Sequence, residues 1–115
     1  MRLNIKIIFF LLLIFAIPNH LYAGDLLLGK EKAATACSGC HGMDGQATSG
    51  GNSSLTPNIT AQEKEYILAK LKDYKSGKIN HPQMTLIAQM LSDKDIENVA
   101  EWYSNIKISI ELPLE

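Results

Sequence analysis

Five consecutive residues, Cys37-Ser38-Gly39-Cys40-His41, contain both cysteines of this 115-residue chain and one of its three histidines. Nothing else in the sequence limits the fold as much, because three ligating side chains so close together must serve one small object or one turn of chain. A disulfide between Cys37 and Cys40 closes a tight loop, which restrains the unfolded chain little and leaves His41 without a role. A thioredoxin-like redox pair sits beside a βαβ pattern, and the sequence has no such strands. A zinc site needs a fourth ligand, for which only His81 remains, and there is no second CxxC.

Covalent attachment of a haem uses all three side chains. Two thiols separated by two residues reach the two vinyl groups of one porphyrin, and the adjacent imidazole lands beneath the iron. A porphyrin also answers a question of size, since small domains bury a modest fraction of their surface and usually need a disulfide, a metal or another staple.

The size in question is that of the mature chain. Arg2 and Lys6 precede an unbroken apolar run from Ile7 to Ile17, and Leu21-Tyr22-Ala23 ends in a small residue, the pattern of a signal peptide cleaved after Ala23. The run is shorter than the roughly 20 residues of a membrane-spanning helix and Pro18 closes it, so no permanent membrane anchor is expected. Residues 24–115 then form one domain of 92 residues, with 9 basic residues against 12 acidic ones. That balance excludes a basic nucleic-acid surface. Export and haem attachment agree on compartment, because c-type haem is attached outside the cytoplasm; a periplasmic location follows.

Along the mature chain, Asp25 precedes a helix-favouring segment from Leu26 that ends near Cys37. Gly42 to Thr60 is rich in Gly, Ser, Thr and Asn, without apolar periodicity, and reads as a long loop that wraps something other than protein. Thr60-Ala61-Gln62-Glu63 has the form of a capping box, opening a helix whose Tyr66, Ile67, Leu71 and Tyr74 face the core and which Gly77 terminates. After a turn at Lys78 to Gln83, Met84 to Leu91 suggests a short helix. Ser92 caps another, with Ile96, Val99, Ala100 and Tyr103 as its buried face. The core spans about 24–105, and 106–115 reads as an extended tail.

These residues together resemble class I c-type cytochromes. Gly29 stands eight positions before Cys37, Gly42-Met43-Asp44-Gly45 follows His41, and Pro57-Asn58-Ile59-Thr60 is similar to the family's proline loop. Tyr66 to Leu71 is similar to its middle helix, and Met84 to Asp95 with Ala100-Glu101-Trp102-Tyr103 to its ligand loop and last helix. The likeness is closest to small monohaem cytochrome c-553 and to one half of diheme cytochrome c4. It implies an all-α fold of three main helices with short helical turns and loops around one covalently bound haem c. It also implies that Gly29 lets the first helix approach the last, against Trp102 or Tyr103, where the residues alone allow a frayed helix start. By the same resemblance the Pro57 carbonyl accepts a hydrogen bond from His41, where the residues alone allow a simple turn proline.

Histidine and methionine together raise a haem's potential and close both axial positions, which leaves electron transfer as the function. Met84, after a Pro-containing turn, is the expected partner of His41 on the iron. Met90 is the alternative and otherwise core, Met43 is loop packing, and His81 is the bis-histidine alternative. The chain is expected to be a monomeric, non-enzymatic carrier between a redox donor and a redox acceptor. The rival readings are a five-coordinate haem sensor or enzyme, and a permanent relay subunit of a larger complex. Lys64, Lys70, Lys72, Lys75 and Lys78 make the middle helix basic, either as solvated surface or as a docking edge for an acidic partner. Lys75 or Lys78 is also a candidate for the haem propionates.

Overall fold

The computed structural model describes residues 24–50 and 55–113. The signal-peptide expectation at 1–23 lies outside the described residues. Among those described, every regular element is helical: α1 (Leu26–Ala36), α2 (Ser38–His41), α3 (Lys64–Lys75), α4 (Met84–Met90) and α5 (Asp93–Ser104). None of these helices is long and apolar enough to cross a membrane.

Helix α1 starts where the sequence places it. Asp25 is extended (φ −90°, ψ 121°) and its carboxylate accepts the Leu28 N–H at 2.9 Å, satisfying one of the free donors of the first turn. The helix breaks at Cys37 and resumes at once as α2, so that Ser38 to His41 form one turn ended by Gly42.

Helices α1 and α5 cross at Gly29. A Cβ there would overlap the carbonyl oxygen of Asn98 and stand 3.1 Å from the Trp102 Cβ. Only a residue without a side chain permits this approach, so the packing role is realised and the frayed start is not. Asn98, itself buried, turns its side-chain oxygen to the Asp25 N–H at 2.8 Å, and Lys32 meets Asp95 at 3.2 Å on the same seam. Helix α5 has the full capping box: Ser92 accepts from the Asp95 N–H while the Asp95 carboxylate accepts from the Ser92 N–H. Its predicted face is buried throughout, with Ile96, Val99, Ala100 and Tyr103 at 2% exposure or less. Those four join Ala33 of α1, Ile67 and Leu71 of α3, and Leu91 in one core cluster.

Helix α3 packs against α4 and α5 but begins differently from expectation. The Thr60 hydroxyl donates to the Asp44 carbonyl at 2.6 Å, and Glu63, with no side-chain cap, precedes a helix that starts at Lys64. The capping box at Thr60 therefore does not form, because Glu63 and not Thr60 stands in the capping position of this helix. Ala61 instead turns into the left-handed region (φ 52°) and its N–H donates to the Tyr103 carbonyl at 3.0 Å.

Ile67 and Leu71 face the core as predicted, whereas Tyr66 is 52% exposed with the Lys70 ammonium 5.5 Å from its ring centre. The helix ends at Gly77 (φ 77°), whose N–H returns to the Tyr74 carbonyl. In α4, Ala88 is buried and Met90 is 72% exposed, so Met90 is not core. Its seven-residue helix covers the cluster with one side only. Residues 106–113 carry no regular structure; Ile106 packs on the core, and Ile110 and Leu112 are exposed.

Candidate functional site

The turn that carries the motif follows from α1. Ser38 donates its hydroxyl to the Ala34 carbonyl at 2.9 Å, and the His41 N–H reaches the Cys37 carbonyl at 2.9 Å, which winds Cys37, Cys40 and His41 into a single turn. Both cysteines are free thiols, Cys40 exposed and Cys37 half-buried. Burial pushes the Cys37 thiol up to about 11 against the opposing pull of Lys32. A thiol held neutral suits a redox or zinc thiolate poorly. No group of three or more Cys, His, Asp or Glu side chains that could hold a metal ion is found among the described residues.

His41 is 8% exposed, and its Nδ1 lies 2.9 Å from the Pro57 carbonyl oxygen. A carbonyl can only accept, so the proton sits on Nδ1 and the Nε2 lone pair is left for a metal. This second contact is what orients a ligating imidazole and strengthens it as a donor. The donor set therefore fits a haem iron: an oriented imidazole with the correct nitrogen bare, and two unpaired thiols within one turn of it.

The loop after the motif is tied to itself and to α5. The Asp44 carboxylate accepts from the Gln46 N–H at 3.0 Å and the Ser49 hydroxyl at 2.8 Å, which hold it below the usual carboxylate range. The Ile59 N–H reaches the Gly45 carbonyl at 2.8 Å and the Ala47 N–H the Asn58 side chain at 2.9 Å, so the strand of chain bearing Pro57 is laced to the strand bearing Gly45. From α5, Tyr103 donates to the Gly42 carbonyl and Trp102 Nε1 to the Met43 carbonyl. Beyond packing, a phenol and an indole on a buried stripe carry polar atoms that need partners, and that is the sequence signal for such bonds.

Met84 is partly buried and packs against the same core cluster as Cys37, as does Met43. His81 accepts the Met84 N–H at Nδ1, at 3.2 Å.

Residues 26–107 match the family model described as Cytochrome c. The chain belongs to the cytochrome c family. Its cofactor is one covalently bound haem c and its function is electron transfer. It is 41% identical over 86 residues to cytochrome c-554(548) of Halomonas halodenitrificans, covering 72% of this chain and 98% of that protein. It is 34% identical to cytochrome c4 of Pseudomonas aeruginosa, over 76% of this chain and 41% of the relative, so it spans less than half of that protein. Cytochrome c-553 of Helicobacter pylori is 31% identical, over 82% of this chain and 91% of its own length.

The expected basic ridge of the cytochrome is largely spent within the molecule. Lys64 pairs with Glu101 at 2.6 Å, Lys75 with Asp93 at 2.7 Å, and Lys78 with Asp73 at 2.9 Å. The first two clasp α3 to α5. Lys75 and Lys78, suggested for the haem propionates, thus have carboxylate partners of their own.

Proposed function

We propose that this cytochrome is an exported, periplasmic carrier, not an enzyme, that moves single electrons between a redox donor and a redox acceptor. Cys37 and Cys40 would hold the haem through thioethers, and His41 Nε2 and the Met84 sulfur would ligate its iron. The observation that supports the reading is the 2.9 Å contact of His41 Nδ1 with the Pro57 carbonyl, which leaves the opposite ring nitrogen bare for a metal. Haem supplies reversible one-electron chemistry at its iron. The chain's part is to orient the imidazole, to keep the CxxCH turn rigid through Gly42 and Met43, and to bring a thioether to the second axial position.

Met84 is favoured over Met90 because Met84 packs on the core cluster that Cys37 also meets. A closed axial pair leaves no position for a substrate or gas, which separates a carrier from a sensor or enzyme.

The test uses the mature holoprotein. Haem must stay with the polypeptide in acidified organic solvent, and the oxidised spectrum must carry the weak far-red band of sulfur bound to iron. Met84→Ala abolishes that band, lowers the reduction potential and lets the reduced protein bind carbon monoxide; Met90→Ala changes none of these. Extraction of the haem overturns covalent attachment, and exchange of the two phenotypes reverses the ligand assignment. A native mass equal to one chain supports a free monomeric carrier, and co-purification in a fixed larger complex supports a relay subunit instead.

A further inference from the structure

We propose that His81 is a positioning residue for the sixth ligand, capping with its Nδ1 the short helix that begins at Met84. This rests on the assignment of Met84 to the iron.

Helix α4 has only seven residues, and its formal cap, Gln83, makes no side-chain hydrogen bond to it. The work passes to His81, two positions earlier. Its Nδ1 accepts the N–H of Gln83 at 3.3 Å and of Met84 at 3.2 Å. Pro82 has no N–H to satisfy, and the Thr85 N–H reaches the His81 carbonyl at 3.1 Å. The amide donors of Gln83, Met84 and Thr85 are thereby accounted for, two of them by one imidazole. The arrangement is reciprocal: the His81 N–H donates to the Thr85 hydroxyl at 2.9 Å, and that hydroxyl donates to the Ile79 carbonyl at 3.2 Å. The ring is braced from α3, edge-on to Tyr74 with centroids 5.9 Å apart at 69°. A chain of contacts therefore runs from α3 through the imidazole to the backbone nitrogen of Met84.

The tautomer matters. An Nδ1 that accepts N–H groups carries its proton on Nε2, the reverse of His41. In that form neither nitrogen of His81 has a lone pair to spare for a metal, so the capping role and the bis-histidine role are mutually exclusive. A thioether is a weak, neutral ligand on a flexible stem. Its hold on iron depends on how well the backbone that bears it is kept in place.

Two variants of the holoprotein separate the acceptor atom from the ring. His81→Phe keeps an aromatic ring against Tyr74 but removes the acceptor, and His81→Asn keeps a short side-chain acceptor but removes the ring. The readouts are the rate at which carbon monoxide enters the reduced haem and the denaturant concentration at which the far-red sulfur band disappears. His81→Phe should speed carbon monoxide entry about fivefold, the scale set by losing one helix cap, and should lose the band before helical signal declines. His81→Asn should stay within about twofold of the parent, since asparagine is an effective cap. Parent-like behaviour of His81→Phe, or an Asn variant as impaired as Phe, overturns the proposal. Met84→Ala is measured alongside: absence of the sulfur band from the parent, with no response to Met84→Ala, removes the ligand assignment and this proposal with it. A parent band that Met84→Ala abolishes but His81→Phe leaves untouched removes the positioning role alone.

Discussion

The Tyr103 hydroxyl donates to the Gly42 carbonyl at 2.9 Å, joining the last helix to the residue that directly follows His41, with both partners buried. One position earlier, Trp102 Nε1 donates to the Met43 carbonyl at 3.0 Å. Helix α5 thus grips the two residues after the motif by their backbone, and the orientation of the CxxCH turn depends on a helix about sixty residues away in sequence. Burial also raises the Tyr103 phenol well above its ordinary pKa, so it remains a donor through the alkaline range.

Tyr103→Phe tests that grip. The ring still fills the core, but the Gly42 carbonyl loses its buried donor, at a cost of roughly 1–3 kcal/mol. The urea midpoint of the holoprotein should fall accordingly with an unchanged slope, while the haem stays attached. An unchanged midpoint would mean that water replaces the phenol without penalty.

Gly29→Ala tests the helix crossing. Alanine gains about 1 kcal/mol in helix propensity, but its methyl group meets backbone, the Asn98 carbonyl, which cannot swing away as a flexible side chain would. Separating α1 from α5 also strains the Asp25 to Asn98 bond. A net loss of roughly 1–3 kcal/mol is expected, read as a lower melting temperature of the holoprotein. A higher one would show that the helices part freely.

What the sequence made legible is what is decided locally. Asp25, Ser92 and Gly77 mark helix ends by their own hydrogen-bonding or dihedral chemistry, and the stripe Ile96, Val99, Ala100, Tyr103 is long enough to fix a face. The cysteines and His41 were legible because attachment chemistry constrains their spacing. The misreadings share a cause in distant partners. Thr60 looked like a cap, but Ala61 turns left-handed onto the distant Tyr103 carbonyl and the helix starts only at Lys64. Met90 looked like core because a seven-residue apolar run does not reveal which side will be covered. The lysines of α3 read as solvated surface or as a docking edge, and the carboxylates that two of them meet, Glu101 and Asp93 of α5, are again distant in sequence.

Those cross-helix pairs set the acid response. The Lys64 ammonium holds the Glu101 carboxyl below its usual range, outweighing the opposing effect of partial burial, with Asn105 assisting. For Asp95, burial pushes the carboxyl upward, but hydrogen bonds from Ser92 and Lys32 outweigh it and leave it lowered. A folded pKa below the unfolded value gives stability that is complete above the unfolded pKa and disappears as pH falls through the folded one. Stability should therefore hold from neutrality down to the unfolded carboxylate range, about pH 4, and decline below it. Glu101→Gln should remove up to about 1 kcal/mol at pH 7 and flatten the decline, checked by denaturant titrations from pH 7 to pH 2. Equal acid slopes in the two proteins would exclude the Lys64 to Glu101 pair as a contributor.

Ala61 is the one non-glycine residue with a positive φ among those described, at 52°, and its N–H is held by the Tyr103 carbonyl at 3.0 Å. An L-residue in this region pays about 1–2 kcal/mol, and the hydrogen bond to the end of α5 is what keeps it there. Glycine removes that strain but leaves the unfolded chain freer, which offsets about 0.5–1 kcal/mol. Ala61→Gly should therefore leave the holoprotein as stable as the parent or stabilise it by up to about 1 kcal/mol. Ala61→Val, whose β-branched side chain tolerates the left-handed region least, should destabilise it by more than about 1 kcal/mol. Thermal unfolding of both variants, with the haem spectrum as a check on the site, measures the difference. Were glycine the more damaging of the two, the methyl group's contacts and not the backbone geometry would be what holds the loop against α5.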